Sequence, residues 1–198
     1  MSDDREQVAS APARPARRTA PVLAGVVGVV LAALLVVLAL ADPGDSDSAS
    51  SPLLGKPAPE VESSYLDGGR FDLSTRRGSW VVLNFFNSTC VPCRNEHPYL
   101  IDFWADQEGS KNPAELYTII NDDNDAAVRA YFAEKGGGWP IVRDDDGAIS
   151  VAFGVAKVPE TWVVDPDGFV VMRVAGALSA GFLQTRLAEL KNAHEAGQ

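Results

Sequence analysis

The chain has 198 residues, and its 27 Asp and Glu against 17 Lys and Arg give a formal net charge of −10. Residues 1–41 hold four of the bases and three of the acids, which leaves 24 acids and 13 bases beyond them, a net −11. That surface repels phosphate backbones and excludes a nucleic-acid partner. Only two cysteines are present, Cys90 and Cys93, too few for a disulfide-stapled scaffold or a closed four-cysteine zinc site.

Residues 1–20 carry Arg14, Arg17 and Arg18 and are expected to stay in the cytoplasm. No charge interrupts the run from Thr19 to Ala41. Roughly 20 helical residues cross a hydrocarbon core of about 30 Å, so residues 21–41 are expected to form a transmembrane signal-anchor. The positive-inside rule then exports everything that follows. A cleaved signal peptide is the rival, because Ala39-Leu40-Ala41 resembles a small-x-small cleavage site. Against it, the apolar run is longer than the core of a signal peptide. Both readings put the downstream domain outside the cytoplasm. Residues 42–54 are rich in Ser, Asp, Pro and Gly and are expected to be a flexible tether. Residues 55–198 are long enough for one extracytoplasmic domain.

Trp80–Phe86 is a dense apolar run, as expected of a central strand buried on both faces. A helix is predicted after Cys90, with Leu100, Ile101, Phe103 and Trp104 available for its apolar face. Leu116–Ile120 reads as a second strand and Asp125–Glu134 as a helix ended by the glycines at 136–138. Trp139–Val142 and Thr161–Val164 read as further strands. Asp165-Pro166-Asp167-Gly168 is a turn, and Phe169–Val174 completes a hairpin. Ser179 is predicted to cap a last helix reaching His194. The alternation points to an α/β sandwich with a central β-sheet flanked by helices.

The pair Cys90-Val91-Pro92-Cys93 falls where a buried strand turns into a helix. Unpaired N–H groups and the partial positive charge of that helix end favour thiolate at the first sulfur, so Cys90 is the expected attacking group. Cys93, one turn further in, is the expected resolving thiol. Pro92 fits the first turn, whose N–H groups lack intrahelical partners. No metal or organic cofactor is implied. Covalent haem attachment would place His after Cys93, but Arg94 stands there.

The segment NFFNSTCVPCRNEHPYL resembles the active-site segment of thioredoxin-like proteins of the TlpA and ResA type and their CcmG relatives. The resemblance extends over nearly the whole exported domain. It implies a thioredoxin-like fold and protein disulfide oxidoreductase activity. Pro98 matches the helix-kinking proline, and Val158-Pro159 matches the pair whose proline is cis and faces the disulfide. Glu96, three residues after Cys93, matches an acid that tunes the thiols, and residues 115–135 match an inserted strand–helix unit. The candidate catalytic residues are thus Cys90, Cys93, Glu96 and Pro159, and the candidate substrate-binding residues are Val158, Pro92, Thr89 and Glu160. Ordinary thioredoxins bury an aspartate where Asn84 stands, and the ResA type also carries Asn. Thr89 departs from the tryptophan usual in the family. The resemblance favours a reductant of apocytochrome c, recharged by a membrane thiol donor.

A general disulfide oxidase or reductase of exported proteins remains an alternative. A peroxiredoxin-type peroxidase would want Thr three residues before its cysteine, where Asn87 stands. A copper-binding module using Cys90, Cys93 and His97 would want wider cysteine spacing.

Overall fold

A dense apolar strand flanked by helical patterns requires cover on both faces, and the computed structural model supplies it. The structure describes residues 27–33 and 51–197. The chain divides into two units, 1–44 and 45–198. Of the first, residues 27–33 are helical. Among the described residues no helix is long and apolar enough to cross a membrane. Most of the expected span at 21–41 lies outside the described residues, as does most of the expected tether.

The second unit runs β1 (Glu62–Ser64), β2 (Arg70–Asp72), a 3-10 turn (Leu73–Arg76), β3 (Trp80–Phe86), α1 (Val91–Glu108), β4 (Ala114–Ile120), α2 (Asp125–Lys135), β5 (Ile141–Val142), α3 (Ala148–Phe153), β6 (Glu160–Val164), β7 (Val170–Ala175) and α4 (Phe182–Ala196). β1 and β2 form a separate hairpin, and the main sheet has the order β5-β4-β3-β6-β7. β3 lies parallel to β4, as the crossover through α1 requires, and antiparallel to β6.

All seven residues of β3 are buried. Their alternation divides the core: Trp80, Val82 and Phe86 join residues of α1, α2 and α4, while Val81, Leu83 and Phe85 join residues of α3 and the hairpin. Each such fully buried Phe or Leu stabilises the fold by about 1.5–3 kcal/mol. Asn84 occupies the α1 face of this alternation, and it is fully buried.

Three expectations are corrected. The strand expected at Trp139–Val142 is reduced to Ile141–Val142. Pro140 has no N–H for a ladder, and the Trp139 indole instead donates to Thr118 Oγ1 at 2.8 Å. Ser179 does not cap the last helix: Gly181 does, at φ 72°, with no side-chain bond. The fold also starts earlier than residue 55. Leu53 and Leu54 pack against the α3-side core, and the Leu54 N–H donates to Ser51 O at 3.2 Å.

Candidate active site

β3 ends at Phe86, and three residues later the chain enters α1 with Cys90 as its N-cap. Cys90 and Cys93 are joined as a disulfide, with their Cα atoms 5.3 Å apart. The Cys93 N–H donates to Cys90 Sγ at 3.2 Å, which places that sulfur at the positive end of an 18-residue helix. Cys90 is half-buried, whereas Cys93 is 0% exposed. Only the first sulfur can meet a macromolecule. Pro92 sits in the first turn, and α1 continues through Pro98 to Glu108.

The Val158–Pro159 peptide is cis, as the resemblance implies. The Val158 carbonyl oxygen lies 3.6 Å from Cys90 Sγ. After reduction a Cys90 thiol could donate to that oxygen. Pro159 is buried, and its own carbonyl accepts the Gly176 N–H at 2.9 Å. Sheet and loop thus hold this wall of the site from both ends.

Beneath Cys93, one turn along the same face of α1, lies Glu96, 0% exposed. Asn84 Nδ2 donates to Glu96 Oε1 at 2.8 Å, and the Leu178 N–H donates to Glu96 Oε2 at 2.8 Å. Burial pushes the carboxyl up to about 7, against the two hydrogen bonds, which favour the charged form. Asn84 Nδ2 also reaches Thr161 Oγ1 at 3.1 Å. A solvated helix residue would show none of this. Glu96 is a buried acid pushed up to about 7, one helical turn from Cys93.

Thr89 and Pro92 are exposed beside Cys90, with Val91 65% exposed between the cysteines. Val158 is half-buried across from them. These four form an uncharged rim around the sulfur.

Glu160 is elsewhere, which corrects the expectation that it lines the site. Successive strand residues point to opposite faces, so with Thr161 toward Asn84, Glu160 faces away. Its carboxylate accepts both Nε and Nη2 of Arg173, each at 2.9 Å, and the guanidinium lies 5.2 Å from the centre of the Trp162 ring.

His97 is also buried, among Phe86, Tyr131, Phe132 and Trp139, with Nε2 2.9 Å from Gly136 O. Burial lowers its pKa, so the neutral ring donates through Nε2 to that carbonyl. It is a packing residue. Neither cysteine shares a three-donor metal grouping among the described residues. Sequence reasoning did not single out Thr161 or Leu178. Thr161 joins the site through its hydroxyl and Leu178 through its backbone N–H, and no local pattern marks either.

Comparison with known proteins places this geometry. The family model described as "AhpC/TSA family" matches residues 54–173. The thiol-disulfide oxidoreductase ResA of Bacillus thuringiensis subsp. konkukian is 28% identical over 123 residues, covering 62% of this chain and 70% of that protein. The thiol:disulfide interchange protein HelX of Rhodobacter capsulatus is 32% identical over 146 residues, covering 72% and 80%. Among solved structures, MTB dsbF in mixed oxidized and reduced forms superposes with a TM-score of 0.61 at 25% identity, covering 66% of this chain and 95% of that one. With one half-buried and one fully buried sulfur on a thioredoxin-like sheet, the chain belongs to the AhpC/TSA family and is a ResA/CcmG-like thiol–disulfide oxidoreductase of the thioredoxin superfamily.

Proposed function

We propose that this oxidoreductase is a membrane-anchored, extracytoplasmic reductant that opens the disulfide of apocytochrome c before haem attachment and is recharged by a membrane thiol donor. The observation that carries the chemistry is the asymmetry of the pair: Cys90 half-buried at a helix N-terminus, Cys93 fully buried above Glu96. The Cys90 thiolate attacks one substrate sulfur. A Cys90–substrate bond forms, the substrate disulfide breaks, and the departing sulfur takes a proton. Cys93 then loses its proton and attacks Cys90 Sγ. The internal disulfide closes and the second substrate thiol leaves, so two electrons have passed to the substrate. Glu96, titrating at about 7, is placed to receive the Cys93 proton within the buried layer.

The reductive direction rests on the resemblance to the TlpA, ResA and CcmG type. Equilibration of the couple with glutathione tests it. A potential near thioredoxin's, about −270 mV, supports a reductant, whereas one near DsbA's, about −120 mV, would make the protein an oxidase of exported proteins.

The anchor rests on the uncharged run Thr19–Ala41 and the arginines before it. The mature protein is expected to stay in the membrane fraction after carbonate washing with its original N-terminus. Recovery of material starting at Asp42 would show cleavage instead.

A further inference from the structure

The three residues between β3 and Cys90 belong to no regular element, yet each of their N–H groups and that of Cys90 must be placed for the sulfur to sit at the helix end. The Thr89 N–H and hydroxyl donate to Asn87 Oδ1 at 2.8 and 2.6 Å, and the Cys90 N–H donates to Asn87 O at 3.1 Å. Those bonds make a local turn and tie it to nothing else. Three bonds join residues 87 and 88 to the loop between β4 and α2. Asn87 Nδ2 donates to the carbonyls of Asn121 and Asp122, at 3.0 and 2.7 Å. The Ser88 N–H donates to Asp123 Oδ2 at 2.5 Å, while Oδ1 of the same carboxylate accepts the Asn124 N–H at 2.8 Å. Asp122 stands at φ 47°, a left-handed backbone that turns the loop toward the site.

We infer that Asp123 is a positioning residue for Cys90: its carboxylate ties the inserted strand–helix unit to the Ser88 backbone and so holds the attacking sulfur in place against Val158. A charged acceptor makes the stronger kind of hydrogen bond, and this one adds to the two from Asn87 Nδ2 in holding a segment two residues from the nucleophile. The bland role for Asp123 is as part of the N-terminal cap of α2. That role belongs to its neighbour, since Asn124 Oδ1 accepts the Ala127 N–H at 2.9 Å.

The separation of the two roles provides the test, which rests on Cys90 being the attacking thiol. Asp123→Ala, Asp123→Asn and Asn124→Ala are compared in the full-length protein for exchange rate with oxidised glutathione and for melting temperature. Asp123→Ala is expected to slow exchange about tenfold or more, since small misplacements of a reacting group cost factors of that size. Asp123→Asn retains an acceptor for Ser88 and is expected to recover most of the rate. Asn124→Ala is expected to lower the melting temperature while exchanging at the wild-type rate. Wild-type exchange by Asp123→Ala would overturn the inference. So would an equal rate loss in Asn124→Ala, because both would then act only by loosening α2. A wild-type protein that does not exchange with glutathione would defeat the redox reading itself, and this inference with it.

Discussion

Replacing Cys90 by serine is expected to reduce insulin reduction, with dithiothreitol as electron donor, to the rate of dithiothreitol alone. Cys93 is fully buried, so it cannot reach a disulfide on another protein when its partner is lost. A serine hydroxyl is also no substitute for a thiolate held at a helix N-terminus. Cys93→Ser should fail differently. Its Cys90 still attacks, but nothing resolves the product, and a mixed disulfide with the substrate accumulates. The measurement is turnover followed by non-reducing electrophoresis. Trapping by Cys90→Ser and not by Cys93→Ser would reverse the assigned roles.

Glu96→Gln should change the pH dependence of both stability and exchange. In the folded protein the carboxyl titrates at about 7, against 4.5 as the ordinary value. A raised acid pKa means the folded state holds a proton that the unfolded state has lost. The associated stability is therefore fully present below pH about 4.5, falls as pH rises toward 7 and is gone above it. The rise from 4.5 to about 7 corresponds to roughly 3 kcal/mol. Glutamine keeps the shape and an acceptor oxygen but cannot ionise. Between pH 4.5 and 8 the oxidised variant should gain on oxidised wild type by about this amount in urea unfolding, the disulfide removing any thiol contribution. In the reduced protein a charged Glu96 disfavours the Cys93 thiolate. The variant should accordingly show a lower upper thiol pKa and lose the inflection near pH 7 in its rate profile, the two groups titrating as a coupled pair. Parallel stability curves and superimposable thiol titrations would reduce Glu96 to a helix residue.

What the sequence made legible follows physical range. β3 matches its expected limits, Trp80–Phe86, because seven consecutive buried residues leave no other reading. α2 and β6 match to within one residue, since glycines and a turn punctuate them. The β1–β2 hairpin and α3 went unseen. Three-residue strands and a six-residue helix are too short to show a period. In the site, Cys90, Cys93 and Val158-Pro159 were readable from local spacing and resemblance. Glu96 was readable as a position but not as a buried acid, because its partners Asn84 and Leu178 lie 12 and 82 residues away. Glu160 failed for a local reason: adjacency to Pro159 in the chain is opposition across the pleat.

The central claim is that one sulfur is presented and the other withheld. The most direct test treats the reduced wild-type protein with a brief pulse of iodoacetamide at pH 6 to 7 and locates the label by peptide mass spectrometry. The label should fall on Cys90 and reach Cys93 only on unfolding. Equal labelling of the two, or Cys93 ahead of Cys90, would contradict the account.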